Sequence, residues 1–216
     1  MTVTDAITAF SALIAAIAFI CGIRAWKREF VGKRRIELAE KVLALFYQAK
    51  DVINYIRNQY VSPDEGKSWS ESISPDAKDK EHLRTTFAIF ERYHKNEALF
   101  AELYSTRYRF MAMFGSENVV PFNEINLVVS DIISNTHVLT SYYEIIQSGY
   151  KKSENERKEL IERIRKTERI VWNMGKEYDE ISPRVNKIIR DVEKITTEEA
   201  KRRVNWFQKL FRKSND

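Results

Sequence analysis

Glu91-Arg92-Tyr93-His94 is the spacing in this chain closest to metal chemistry. A Glu-x-x-His on a helix points both side chains to one side, and di-metal carboxylate bundles use that pattern. Such a centre needs a second copy and further carboxylates. His137 has Ser134 three residues before it, and Glu37 and Glu40 do not complete a set. Glu91 and His94 are therefore weak metal candidates, and no cofactor is expected. His94 and His137 read better as partly buried polar residues, and His82 as an exposed one.

Tyr104-Ser105-Thr106-Arg107-Tyr108-Arg109-Phe110 interleaves rings and cations, a pattern that stacks on nucleic-acid bases elsewhere. Here Tyr104 and Tyr108 fall on an apolar seam, so core packing is the expectation and nucleic acid is not. Gly-rich phosphate loops and local nucleophile motifs are absent. The chain has 1 cysteine, Cys21, so no internal disulfide forms, in keeping with a reducing compartment. Active sites assembled from distant helices leave no local motif, so any such site depends on the helices that position its residues.

Ala6 to Ile23 is a run of 18 residues without a charge. At ~1.5 Å per residue it reaches roughly 27 Å, enough for a bilayer's hydrocarbon core. Ile7, Phe10, Leu13, Ile14, Ile17, Phe19, Ile20 and Ile23 together favour insertion by roughly 2–5 kcal/mol. A cleaved signal fits poorly, because no Lys or Arg precedes the run. Arg24, Lys27, Arg28, Lys33, Arg34 and Arg35 follow it, and Asp5 precedes it. Such a bias keeps the following residues in the cytoplasm and the short N-terminus outside. The expected location is the inner (cell) membrane, single-pass, with Trp26 as an interfacial anchor. Thr8, Ser11, Ala15, Ala18 and Gly22 form a stripe of small residues. Ser11, Ala15, Ala18 and Gly22 are its candidate self-association face.

The chain has 216 residues, of which 31% are charged, with 6 Gly and 4 Pro. That composition suits long helices rather than a sheet. The net charge of +5 concentrates at two ends: 6 positives against Glu29 over 24–35, and 6 against 3 acidic residues over 198–216. A basic excess confined to the ends suggests an anionic membrane surface before nucleic acid.

Beyond the apolar run, heptad-like seams predict four helical segments. Ala39, Val42, Phe46, Ala49, Ile53 and Ile56 mark the first, within 24–61. A loop follows over 62–74. Ser74-Pro75 then starts a helix over 75–114, with seam Leu83, Phe87, Phe90, His94, Glu97, Ala101, Tyr104, Tyr108 and Met111, ended by Gly115. The third, 121–148, carries Phe122, Ile125, Val129, Ile132, Thr136, Leu139, Tyr143 and Ile146, closed by Gly149. The fourth, 154–195, opens on a capping box at Ser153 and carries Ile164, Thr167, Val171, Met174, Tyr178, Ile181, Val185, Ile188, Val192 and Ile195. Pro183 within it should kink or split the helix. Thr196 to Glu199 has capping-box spacing and should begin a last helix over 196–216. Trp206, Phe207, Leu210, Phe211, Arg212 and Lys213 give it an interfacial composition.

The expected fold is all-α: residues 1–5 outside, one membrane helix over 6–23, then an up-down-up-down four-helix bundle. The functional expectation is a membrane-tethered, self-associating interaction or scaffold protein, not an enzyme. Its expected partners are the lipid bilayer, further copies of itself and a possible protein partner. A membrane-perturbing effector and a metal-dependent bundle enzyme are the alternatives.

Overall fold

The computed structural model describes residues 3–66, 83–148, 153–175 and 177–212, without the side chains of 5–6 and 198–212. Every regular element among them is helical. Six α-helices follow in order: α1 Val3–Ile56, α2 Arg84–Lys95, α3 Glu97–Phe114, α4 Val120–Gln147, α5 Glu154–Val171 and α6 Ile181–Arg212. A 3-10 turn, Ser116–Val119, links α3 to α4. The chain divides into two compact units, Met1–Lys41 and Val42–Asp216. The expected start at Ser74-Pro75, His82, Gly149 and Lys213 lie outside the described residues.

In the larger unit, α4 packs against α2, α3, α5 and α6. Its sequence explains this central place. Phe122, Ile125, Val129, Ile132, Thr136 and Leu139 repeat at three and four, and all are buried. Pro121 fits the first turn, where a missing N–H costs nothing. Phe46 of α1 meets Phe122 edge-on with ring centroids 5.0 Å apart, and Phe110 of α3 lies 5.3 Å from the same ring. Val42, Phe46, Ala49, Ile53 and Ile56 are buried as the first seam requires.

The second segment is two helices. Asn96, at φ −114° and ψ 9°, breaks it, and its Nδ2 donates to the Arg92 carbonyl. The break shifts the phase of the buried face. Leu83, Phe87 and Phe90 are buried before it, but Leu103, Thr106, Phe110 and Phe114 are buried after it. Tyr104 and Tyr108, expected in the core, are therefore exposed, and so are Glu97 and Ala101. Gly115, at φ 102°, ends α3 in a conformation that favours glycine, and its N–H donates to Met111.

The fourth segment is also two helices. Ser153 and Glu156 form the capping box that opens α5. The chain leaves the helix at Trp172, and among the described residues between it and Ile181, Met174 and Tyr178 are exposed. Asp179, not Pro183, marks the restart: its Oδ1 accepts the N–H groups of Ile181 at 3.0 Å and Ser182 at 3.1 Å. Pro183 thus stands in the first turn of α6, where a proline is tolerated, and no kink is needed. Nor does Thr196 begin a helix. Its hydroxyl donates back to the Val192 carbonyl at 2.9 Å, and α6 runs on to Arg212.

Candidate functional site

Residues 7–23 of α1 carry the strongest anomaly in the smaller unit. Ile7, Phe10, Leu13, Ile14, Ile17, Phe19, Ile20 and Ile23 are between 48% and 70% exposed. Leaving that many large apolar side chains in water is costly, at about 25 cal/mol per Å². The most apolar stretch of α1 is long and apolar enough to cross a membrane, and none of it is buried. Its polar groups are satisfied locally: Thr8 donates to the Thr4 carbonyl and Ser11 to that of Ile7, both at 2.9 Å. Backbone and hydroxyl groups paired within one helix are what a hydrocarbon environment demands. On the small-residue stripe, a Cβ at Gly22 would meet nothing within 4 Å, so packing within the chain does not require glycine there.

Arg24, Lys27, Arg28, Lys33 and Arg34 are exposed, and Arg35 is partly so. Trp26 and Phe30 stack with centroids 5.7 Å apart, and the Arg34 guanidinium lies 4.5 Å from the Phe30 ring centre. Trp206, Phe207, Leu210, Phe211 and Arg212 lie on α6, but their side chains are outside the described residues.

Glu91 and His94 do not converge. Glu91 Oε2 accepts the Gly66 N–H at 2.6 Å, and its Oε1 meets Lys95 Nζ at 2.6 Å. His94 is exposed and lies 3.2 Å from Glu97 instead. Among the described residues, no three His, Cys, Asp or Glu side chains gather. His137 is exposed rather than half-buried, with its ring 4.5 Å from that of Phe90. On the exposed face of α3, Arg107 stacks on Tyr104 at 4.0 Å and on Tyr108 at 4.7 Å. A surface cleft of about 310 Å³ beside the start of α4 sets Glu117 and Asp191 with Lys194. Its lining carries no Ser, Thr, Cys or His side chain.

The best-built polar structure in the larger unit involves residues that sequence reasoning passed over. Arg57, just past α1, is fully buried. Its Nε donates to the Ile170 carbonyl at 2.9 Å, and its Nη2 to those of Arg169 at 3.1 Å and Trp172 at 2.8 Å. These carbonyls belong to the open end of α5, where intrahelical donors run out. Asp179 supplies the counter-charge at 2.8 Å from Nη2. Burial pushes the Arg57 pKa down against the pull of Asp179. Burial also pushes the Asp179 carboxyl up, but hydrogen bonds from Ser182 and Arg57 outweigh it and hold it below its ordinary value.

Arg92 of α2, 2% exposed, does the same at the end of α1. Nη1 donates to the carbonyls of Tyr55, Ile56 and Asn58 at 3.3, 3.4 and 2.7 Å, and Nη2 to that of Tyr60 at 2.6 Å. Glu65 accepts from Nε at 3.0 Å and from Nη2 at 2.6 Å, a two-point pair. The Arg92 guanidinium, helped by the Ser62 N–H and Tyr55 hydroxyl, holds the Glu65 pKa at about 2. Gly66, at φ 81°, turns the chain beside this pair. A Cβ there would come within 2.5 Å of the Arg84 carbonyl oxygen, so only glycine fits. The one sequence signal for either clamp is Asp179 ahead of Ser182-Pro183, a helix-start pattern.

Fold and site together define an all-helical protein with one N-terminal helix long and apolar enough to cross a membrane. No family model matches the chain, and no curated protein or solved structure is similar to it.

Proposed function

We propose that the protein is a membrane-tethered, self-associating helical scaffold, held by residues 6–23 with its larger unit in the cytoplasm. One observation carries this reading: residues 7–23 keep every large apolar side chain at the surface. Lipid is the environment that removes that cost. The positive flank from Arg24 to Arg35 supports an outside N-terminus in the inner membrane. Ser11, Ala15, Ala18 and Gly22 form the close-approach face between copies. The distal part of α1, α2 with α3, α4, and α5 with α6 are the four limbs of an up-down-up-down bundle. Its outer faces present a surface to a partner protein, and the basic end of α6 makes a second, weaker contact with anionic lipid.

The test is the double substitution Leu13→Arg and Ile17→Arg in the full chain. Each arginine costs about 2.5–3.5 kcal/mol near a membrane helix centre, so together they cancel the roughly 2–5 kcal/mol of insertion. Wild type should stay in the pellet after alkaline carbonate extraction, and the double variant should move to the supernatant. A wild-type chain released by carbonate would end the proposal.

A further inference from the structure

The apolar surface of α1 does not stop at one level. On one side the first charge is Arg24. On the other, Ile23, Trp26 and Phe30 continue the apolar surface, and Arg34 caps it by stacking on Phe30. At about 100° per residue, Arg24 stands roughly 160° around the helix from Trp26, and Arg28 roughly 160° from Phe30. Lys27 lies between the two faces, with a stem long enough to reach water. Trp26 is 66% and Phe30 44% exposed, so both rings keep a large part of their surface open beyond their contacts with each other and with Arg34.

The border between apolar and charged surface is thus a slanted line. It climbs six residues, about 9 Å, across a helix about 10 Å wide, a slope of the order of 40°. Interfacial aromatic and basic anchors set the tilt of a membrane helix, and tilts up to about 40° occur. Along the ridge, apolar surface from Ile7 to Phe30 reaches roughly 35 Å, more than a hydrocarbon core of about 30 Å, and a membrane helix takes up such a surplus by tilting.

We infer that α1 enters the membrane obliquely, leaning on the ridge Ile23–Trp26–Phe30, and that the stacked rings of Trp26 and Phe30 are a docking surface for the phospholipid headgroup layer. The occupant is lipid because the ridge continues the apolar run and ends in a cation. Five further cations stand nearby against Glu29 alone, a complement to lipid phosphate. This inference rests on the membrane reading above.

Two neighbouring positions separate a leaning helix from an upright one. In an upright helix, residues 30 and 31 differ in depth by about 1.5 Å. In a leaning one, Phe30 faces the bilayer and Val31, about 100° away, faces off it. The full chain carrying Trp26→Phe, Trp69→Phe, Trp172→Phe and Trp206→Phe, which leaves no native tryptophan, is reconstituted with either Phe30→Trp or Val31→Trp. Tryptophan fluorescence is then read in vesicles whose phosphatidylcholine and phosphatidylglycerol chains are brominated near the headgroup. The expected result is at least twofold stronger quenching for Phe30→Trp than for Val31→Trp. Equal quenching, or stronger quenching of Val31→Trp, overturns the lean while leaving the membrane reading intact. Carbonate extraction of the same vesicles reports on that reading separately, and release of the chain overturns both.

Discussion

Arg57 closes the open end of α5, and Arg92 closes that of α1; the two differ in how their charge is balanced. Arg92 spreads its bonds over Nε, Nη1 and Nη2, and a two-point carboxylate faces it from Glu65, 17% exposed. Arg57 gathers two carbonyls and Asp179 on Nη2, while its buried Nη1 finds no acceptor among the described residues. A buried cation with one carboxylate and a bare nitrogen depends on that carboxylate far more than a well-shared one does. Asp179 also caps α6, so one side chain holds the ends of two helices. The contrast shows that similar bonding patterns at two helix ends carry unequal risk, set by burial and by the number of alternative acceptors.

The contrast breaks most sharply at Asp179. Asp179→Ala strands a buried guanidinium and uncaps α6, and should cost about 3–5 kcal/mol in denaturant unfolding of the full chain in detergent, followed by circular dichroism. Replacing both partners, Arg57→Met with Asp179→Leu, should recover only part of that loss, since a packed apolar pair needs no counter-charge but α6 stays uncapped and the α5 carbonyls lose their donor. A cost under about 1 kcal/mol for the single variant would mean that the pair is not what holds α5 to α6.

Glu65→Gln should cost less, about 1–2 kcal/mol in the same measurement, because Arg92 keeps its backbone acceptors. The same pair sets an acid limb. The folded pKa of Glu65 is about 2, below its ordinary 4.5, so its contribution is complete above about pH 4.5 and is lost as pH falls towards 2. Asp179, also held low, acts in the same direction. Melting temperature should therefore fall on acidification below about pH 4.5, and Glu65→Gln should flatten that fall. An unchanged acid profile in the variant would remove Glu65 from the account. At the small end, Arg163→Ala deletes an exposed partner of Glu159 and should change stability by less than about 0.5 kcal/mol. A larger loss would show that surface pairs rival the clamps.

The helical character was legible because three-and-four spacing of apolar residues survives any tertiary context. The first seam, the α4 seam from Phe122 to Leu139 and the pair Ile164 and Val171 are all buried. The seam through Tyr104 and Tyr108 misleads because periodicity assumes an unbroken helix. Asn96 resets the phase, and nothing in its neighbours announces a break. His94 fails for the same reason, standing at the last turn before it.

By itself, the sequence determined the all-helical class, the apolar run over 6–23, the basic flank after it and the caps at Ser153 and Gly115. These are local properties of spacing, charge and backbone preference. Only the tertiary structure decided which cations, among 36 lysines and arginines, would be buried. Arg57 finds its acceptors more than a hundred residues away, and Arg92 finds its own about thirty-five away. Those acceptors are mostly backbone carbonyls, which every residue carries and no sequence pattern marks. A helix end becomes a site for arginine only once folding has brought the two together.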